Sequence, residues 1–249
     1  MKLGEAVPGL LDGLVKKDDR VLCVVPIDES APKGRLILPQ QQVIRECLDK
    51  HVPVTVCQPD ELFEFLSWGV FELRGRLLIV TDSQAFGRVT QTLKNSNTQN
   101  LNLTSFSILF ARQKGDLQEF VKGLKAIGSL KDGDTVLVAE GCTHHRQCND
   151  IGTVKIPKAL EKLSGKELKF EFASGGEFDL NCGGETPPPQ DGNDSNISLV
   201  VHCGGCMLTR REMLRRIEFA KNAGVPIVNY GLVLAMANGI DVQSLIPSP

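Results

Sequence analysis

Three cysteines lie in two short motifs whose residue types and spacing suit a metal centre. Cys142 opens the string CTHH, and Cys203 and Cys206 lie in the string HCGGC. Thiolates and imidazoles bind zinc and iron–sulfur centres. Two residues between the cysteines of a Cys-x-x-Cys pair turn the chain back, so that both sulfurs can reach one centre. We therefore predict Cys142, Cys203 and Cys206 as metal ligands.

Two histidines are predicted to contact the bound cofactor. His144 and its neighbour His145 follow Cys142, and at most one of two adjacent side chains faces the metal. His202 precedes Cys203 and can point away from it. His144 and His202 are therefore candidates for the fourth position of the centre. The alternative for each is a hydrogen bond to sulfur or to the backbone.

Each motif directly follows an apolar run typical of a buried strand. In open α/β sheets ligands bind beyond the carboxyl ends of the strands, so neighbouring strands would bring the two motifs together. Gly204 and Gly205 allow a tight turn and leave backbone N–H groups to face sulfur. Residues 209–212, TRRE, fit a capping box, and Gly224 fits a helix end. The dipole of that helix would stabilise the thiolates.

Short β-rich runs alternate with helical segments along the chain, which predicts an α/β fold with mostly parallel sheets. The apolar strands are typical of sheets covered on both faces. The polar segment at residues 95–102 is the best boundary candidate. We predict two domains, 1–97 and 98–249, each a mostly parallel sheet flanked by helices. The predicted strands are 20–25, 53–57, 77–81, 135–139, 168–172, 197–201 and 226–229.

Composition bounds the class of protein. The 249 residues carry a net charge of -2, which leaves no basic surplus for nucleic acid. No apolar run approaches the roughly 18 residues of a membrane span, and the N-terminus lacks the features of a secretory signal. We expect a cytoplasmic protein, or an organellar one in a eukaryote. Of the eight cysteines, Cys23, Cys47 and Cys57 lie in apolar surroundings that predict simple buried residues.

The spacing does not choose between zinc and an iron–sulfur cluster. Structural zinc sites with three cysteines and one histidine are common, and three cysteines without an obvious fourth also suit a 4Fe–4S cluster. A zinc-stabilised protein-interaction module is therefore the alternative function. A redox dithiol is a third option, because CGGC before a helix resembles that arrangement, but it leaves the CTHH motif unexplained.

Several long strings resemble one protein family. VLVAEGCTHHRQCNDIGTVKIPKAL, VVHCGGCMLTRREMLRRI and VPIVNYGLVLAMANGI are similar to the cluster-binding domain of the HydF family, the maturation factors of FeFe hydrogenase. VVPIDESAPKGRLILPQQQVIRECLD resembles the dimerisation domain of that family, and TDSQAF and TSFSILFARQKGDL also match it. The resemblance covers nearly the whole chain.

The resemblance implies a scaffold and carrier. Members of the family hold a 4Fe–4S cluster with three cysteines, which by motif match are Cys142, Cys203 and Cys206. They also receive a di-iron subcluster precursor and deliver it to apo FeFe hydrogenase. The implied partners are that hydrogenase, the radical-SAM maturation factors and a second copy of the chain.

The chain departs from the family in three respects. No G-x-x-x-x-G-K-[S/T] loop is present, so we expect no GTP hydrolysis and no enzyme activity from this chain. The gap between the motifs is lengthened by the biased stretch at residues 183–196. Cys148 and Cys182 are additional cysteines, and neither is expected to be a ligand.

Overall fold

Two compact units make up the fold, in a computed structural model that describes residues 7–27, 34–68, 75–96, 100–141, 150–175, 178 and 197–245. One unit comprises Met1–Gln113 with Asn238–Pro249, and the other comprises Lys114–Ala237. Each contains a four-stranded sheet in which all described pairings are parallel. Helices flank both sheets, so the predicted α/β fold with two parallel sheets is confirmed.

The first sheet has the strand order β2-β1-β3-β4. Its strands are β1 (Arg20–Val24), β2 (Val54–Cys57), β3 (Leu77–Thr81) and β4 (Leu101–Ser105). The helices along this part of the chain are α1 (Leu38–Asp49), α2 (Leu62–Ser67), α3 (Phe86–Asn95) and α4 (Phe106–Lys114).

The cysteines of the first unit belong to its core, as predicted. Cys23, Cys47 and Cys57 are all buried. Burial raises the pKa of the Cys47 thiol to about 12 and that of the Cys57 thiol to about 11. These thiols are therefore protonated at neutral pH and act as small apolar side chains.

Strand β4 was not predicted from the sequence. Leu101 pairs with Leu77, and the rest of β4 continues alongside β3 as the outer strand of the sheet. Its sequence, LNLTS, contains polar residues because an outer strand has one less neighbour and more solvent. The boundary predicted at 97/98 precedes β4, whereas the compact units divide the chain after Gln113.

The second sheet repeats the strand order of the first, as β6-β5-β7-β8. Its strands are β5 (Thr135–Ala139), β6 (Lys169–Ala173), β7 (Ile197–His202) and β8 (Ile227–Asn229). The helices are α5 (Leu117–Ala126), α6 (Ile156–Ser164), α7 (Arg210–Asn222) and α8 (Tyr230–Ala237); α9 (Val242–Leu245) then belongs to the first unit. A π-helical turn, Ile151–Lys155, precedes α6.

The order of the strands makes the junction of β5 and β7 a topological switch point. The chain leaves β5 towards one edge of the sheet to form β6 and then crosses back to form β7 on the other side. In open α/β sheets, ligands bind outside the carboxyl ends of the strands at such a point. Both predicted cysteine motifs follow these two strands.

Helix α5 packs closely on β8, an outer strand of the second sheet. Gly123 lies against the backbone of β8, where an added Cβ would be 1.9 Å from the carbonyl oxygen of Ile227.

Helices of the described ranges are all too short or too polar to cross a lipid bilayer.

Candidate metal centre

The strands that precede the two motifs are direct neighbours. Ala139, the last residue of β5, pairs with His202, the last residue of β7, and the carbonyl of Ala139 accepts the N–H of Cys203 at 2.9 Å. The N–H of Gly141 donates to Sγ of Cys203 at 3.1 Å. Gly141 is the last described residue before segment 142–149. The chain therefore enters the segment that holds the first motif beside Cys203.

The Cys203–Cys206 turn directs a second backbone N–H at sulfur, as the two glycines predicted. Gly205 donates to Sγ of Cys203 at 3.4 Å. Its φ of 65° is in the left-handed region, which glycine adopts without the strain of a side chain, and an added Cβ would also displace Cε of Met213. Two N–H donors on one sulfur favour its thiolate form, which is the form that binds metal.

Cys206 is half-buried. Burial raises the pKa of its thiol, and the charge of nearby Lys114 opposes that shift. A metal that binds there displaces the thiol proton, so the side chain becomes a thiolate on binding.

The helix after the turn begins and ends as predicted. The side chain of Thr209 accepts the N–H of Glu212 at 3.2 Å and caps the start of α7. Gly224, with a φ of 68°, follows its end. The positive end of the α7 dipole therefore lies just after the cysteine pair.

His202 is fully buried, and both of its ring nitrogens have partners. Nδ1 lies 2.8 Å from the carbonyl oxygen of Cys203, and Nε2 lies 3.1 Å from Nη1 of Arg216. Because a guanidinium only donates, Nε2 must accept and Nδ1 must carry the proton. Burial and the charge of Arg216 lower the pKa of His202 to about 4, although the bond to Cys203 opposes this shift. These contacts favour the backbone hydrogen bond, the alternative open for His202; its contact with a cofactor stays a prediction.

Arg216 links the ends of β5 and β7. Its side chain is only 1% exposed and donates to the carboxylate of Glu212 at 2.9 Å and to the carbonyl of Glu140 at 3.5 Å. It also contacts His202 and lies 5.0 Å from the ring centre of Phe178. The sequence analysis did not identify this residue. The sequence feature that could have indicated its burial is its position on the apolar face of α7, which is formed by Met213, Ile217 and Ala220.

Other residues near the turn have structural contacts. Nδ2 of Asn229 donates to the carbonyl of Cys203 at 3.5 Å, and its Oδ1 accepts the N–H of Gly231. Arg210 donates to the carbonyl of Gly115 at 3.5 Å. Gly152, in the π-helical turn, packs so closely on Glu140 and Tyr230 that an added Cβ would lie within 2.7 Å of both side chains.

Two of the predicted site residues, Cys142 and His144, lie outside the described residues. The same holds for His145, Cys148 and Cys182, which were not predicted as ligands. Within the described ranges, no three or more His, Cys, Asp or Glu side chains are grouped to hold a metal ion. The part that is described fits a thiolate-ligated centre. Cys203 and Cys206 are half-buried thiols that follow the end of β7, and two backbone N–H groups point at the sulfur of Cys203.

The fold and the site define a two-domain α/β protein with a cysteine pair at the switch point of its second parallel sheet. The hydrogen maturase F dimerization domain model matches residues 10–115, and the hydrogen maturase F tetramerization domain model matches residues 118–247. The chain therefore belongs to the hydrogen maturase F (HydF) family, as the resemblance indicated. Curated proteins give no match.

Membership of this family implies a role in hydrogenase maturation. The names of the two matched domains also indicate self-association of the chain. Neither matched domain is a GTPase domain.

Proposed function

We propose that this chain is a scaffold and carrier in the maturation of FeFe hydrogenase. It holds a 4Fe–4S cluster through Cys142, Cys203 and Cys206, receives a di-iron subcluster precursor and delivers it to apo-hydrogenase. The observation that supports this most directly is the pair of N–H groups, from Gly141 and Gly205, that point at Sγ of Cys203. Gly141 immediately precedes Cys142 in the sequence, so the first motif begins directly after a residue that contacts Cys203.

A cluster bound by three thiolates supplies one iron with an exchangeable position, which suits a site that accepts and releases cargo. Three features of the chain favour binding of such a cluster. The site lies at the switch point between β5 and β7, where α/β sheets bind ligands, and the start of α7 and the N–H groups offset negative charge. His202 acts here through the backbone of Cys203, and His144 remains the better candidate for the fourth iron or for the cargo.

The partners of this function follow from the chemistry of the cargo. A precursor that carries CO and cyanide ligands must be supplied by other enzymes, and the radical-SAM maturation factors are the proposed source. The first unit acts in pairing two copies of the chain, consistent with the dimerization domain that it matches. We assign no catalysis to this chain itself.

Anaerobic reconstitution with iron and sulfide tests the cluster. The expected result is about four irons per chain with the absorption and EPR spectra of a 4Fe–4S cluster. Zinc retained in place of iron, with no cluster formed, would support the zinc-stabilised interaction module instead. Transfer is tested by mixing precursor-loaded protein with apo-hydrogenase and measuring hydrogen evolution.

Serine variants test the ligands one at a time. Cys142→Ser, Cys203→Ser and Cys206→Ser should each lose most of the cluster, because one thiolate is removed. Cys148→Ser and Cys182→Ser are the matched controls and should retain it. Equal iron loss in the controls would contradict the assignment.

A further inference from the structure

Lys114 binds the backbone of the cysteine turn. Its Nζ donates to the carbonyl oxygens of Gly205 at 3.2 Å, Cys206 at 2.6 Å and Leu208 at 2.8 Å. It is the last residue of α4, and more than ninety positions separate it in sequence from all three of these carbonyls. An ammonium has three donors and no acceptor, so three carbonyls match its hydrogen-bonding capacity.

Backbone N–H groups and backbone carbonyls around this turn have different partners. The N–H groups of Gly141 and Gly205 face the sulfur of Cys203, whereas the carbonyls of Gly205 and Cys206 face Lys114. The carbonyl of Gly205 also accepts the N–H of Leu208 at 3.0 Å. Lys114 and this turn hydrogen bond together hold the peptide units that directly follow the N–H of Gly205.

The three hydrogen bonds that Nζ of the half-buried Lys114 donates to this turn all go to main-chain carbonyls. The ammonium therefore acts on the path of the backbone through the turn.

We propose that Lys114 is a positioning residue of the metal centre, which holds the Cys203–Cys206 turn with its N–H groups directed at sulfur. This inference rests on the proposed function, since it takes Cys203 and Cys206 as metal ligands. Lys114 does not bind the metal. It lowers the cost of ordering the turn and so raises the affinity of the thiolates for metal.

The test compares Lys114→Met with Lys162→Met in the full chain. Lys162 also donates to a main-chain carbonyl, that of Ala237 at 3.2 Å, but this carbonyl is at the end of α8. Co²⁺ is titrated into the metal-free protein under anaerobic conditions, and the thiolate-to-cobalt absorption band gives the affinity. Lys114→Met should bind roughly 10–100-fold more weakly than wild type, as expected when a residue that supports metal ligands is removed. Lys162→Met should match wild type.

Hydrogen exchange provides a readout of the turn itself. The amides of residues 203–208 should exchange faster in Lys114→Met than in wild type, and those of β5 should not. If Lys114→Met fails to fold, Lys114→Gln, which keeps two neutral N–H donors, should fold and bind cobalt less tightly than wild type. Wild-type affinity and wild-type exchange in the Lys114 variants would overturn the proposal. If wild type itself forms neither a cobalt–thiolate band nor an iron–sulfur cluster, the proposed function fails first.

Discussion

Nη1 of Arg216 donates to Nε2 of His202 across 3.1 Å, and this contact fixes the proton of the histidine on Nδ1. Through that proton the histidine binds the carbonyl of Cys203. The guanidinium also binds the carbonyl of Glu140 at the end of β5. One buried cation therefore holds the two strand ends from which the cysteine motifs continue.

Removal of Arg216 should destabilise the fold far more than removal of its neighbour Arg215. Both bind Glu212, but the side chain of Arg216 is 1% exposed and that of Arg215 is 54% exposed. Arg216→Met leaves buried acceptors without a donor and should lower the free energy of unfolding by about 3 kcal/mol. Arg215→Met should change it by less than about 1 kcal/mol. Urea unfolding monitored by circular dichroism measures both, and equal losses would refute the network.

His202→Asn should retain the iron of the reconstituted protein but lower its stability. The variant leaves Nη1 of Arg216 without the acceptor at 3.1 Å, which costs about 1–3 kcal/mol. Cys203→Ser is the comparison, because it removes a ligand rather than a support. Iron analysis and urea unfolding are both required. Iron loss in His202→Asn as complete as in Cys203→Ser would make His202 a ligand.

Gly123→Ala should loosen α5 from β8. Because the added Cβ would lie 1.9 Å from a backbone oxygen of Ile227, the helix must shift, at a cost of about 3 kcal/mol. Gly128→Ala is the matched control, since an added Cβ meets no atom within 4 Å there. Its effect should stay within about 1 kcal/mol. Thermal unfolding of the two variants decides whether the close contact exists in solution.

Glu212 should make the second unit sensitive to acid. Hydrogen bonds from Arg215, and then Arg216, lower the pKa of its carboxyl to about 2, although burial opposes them. The pKa in the unfolded chain is about 4.3. Since the folded-state value is the lower one, the stability it adds is present above about pH 5 and is lost as the pH falls towards 2.

The measurement is the urea midpoint of wild type and Glu212→Gln between pH 7 and pH 3. The difference between the two proteins should shrink as the pH falls. Glu218→Gln, an exposed position on the same helix, should show no such convergence. A constant difference in urea midpoint across this range would show that the stability contributed by Glu212 does not depend on its charge.

The sequence predicted those parts of the fold in which local pattern and packing agree. The apolar runs of β1, β3, β5 and β7 are buried on both faces, so their composition alone identified them. Because each cysteine motif directly follows a strand, the sequence also predicted that the motif after β7 would lie beside the end of β5. The glycine turn and the capped start of α7 followed from local rules of backbone conformation.

Long-range contacts were beyond such rules. Lys114 reaches carbonyls distant in sequence, and nothing in the local string ARQKGD distinguishes it from an exposed lysine. Strand β4 was missed because LNLTS mixes apolar and polar residues and its pairing with β3 decides its conformation. The contact of Nε2 of His202 with Arg216, 14 positions away in sequence, likewise comes from tertiary structure.

The pairing of β5 with β7 sets when the proposed metal centre can form. Gly141 and Cys203 are 62 positions apart in the chain, and β6 lies between them in sequence. Closure of so long a loop is slow compared with local folding steps. The sulfur of Cys203 acquires both of its N–H donors only after the second sheet is assembled. We therefore expect a chain that is still being translated to bind the proposed cluster poorly.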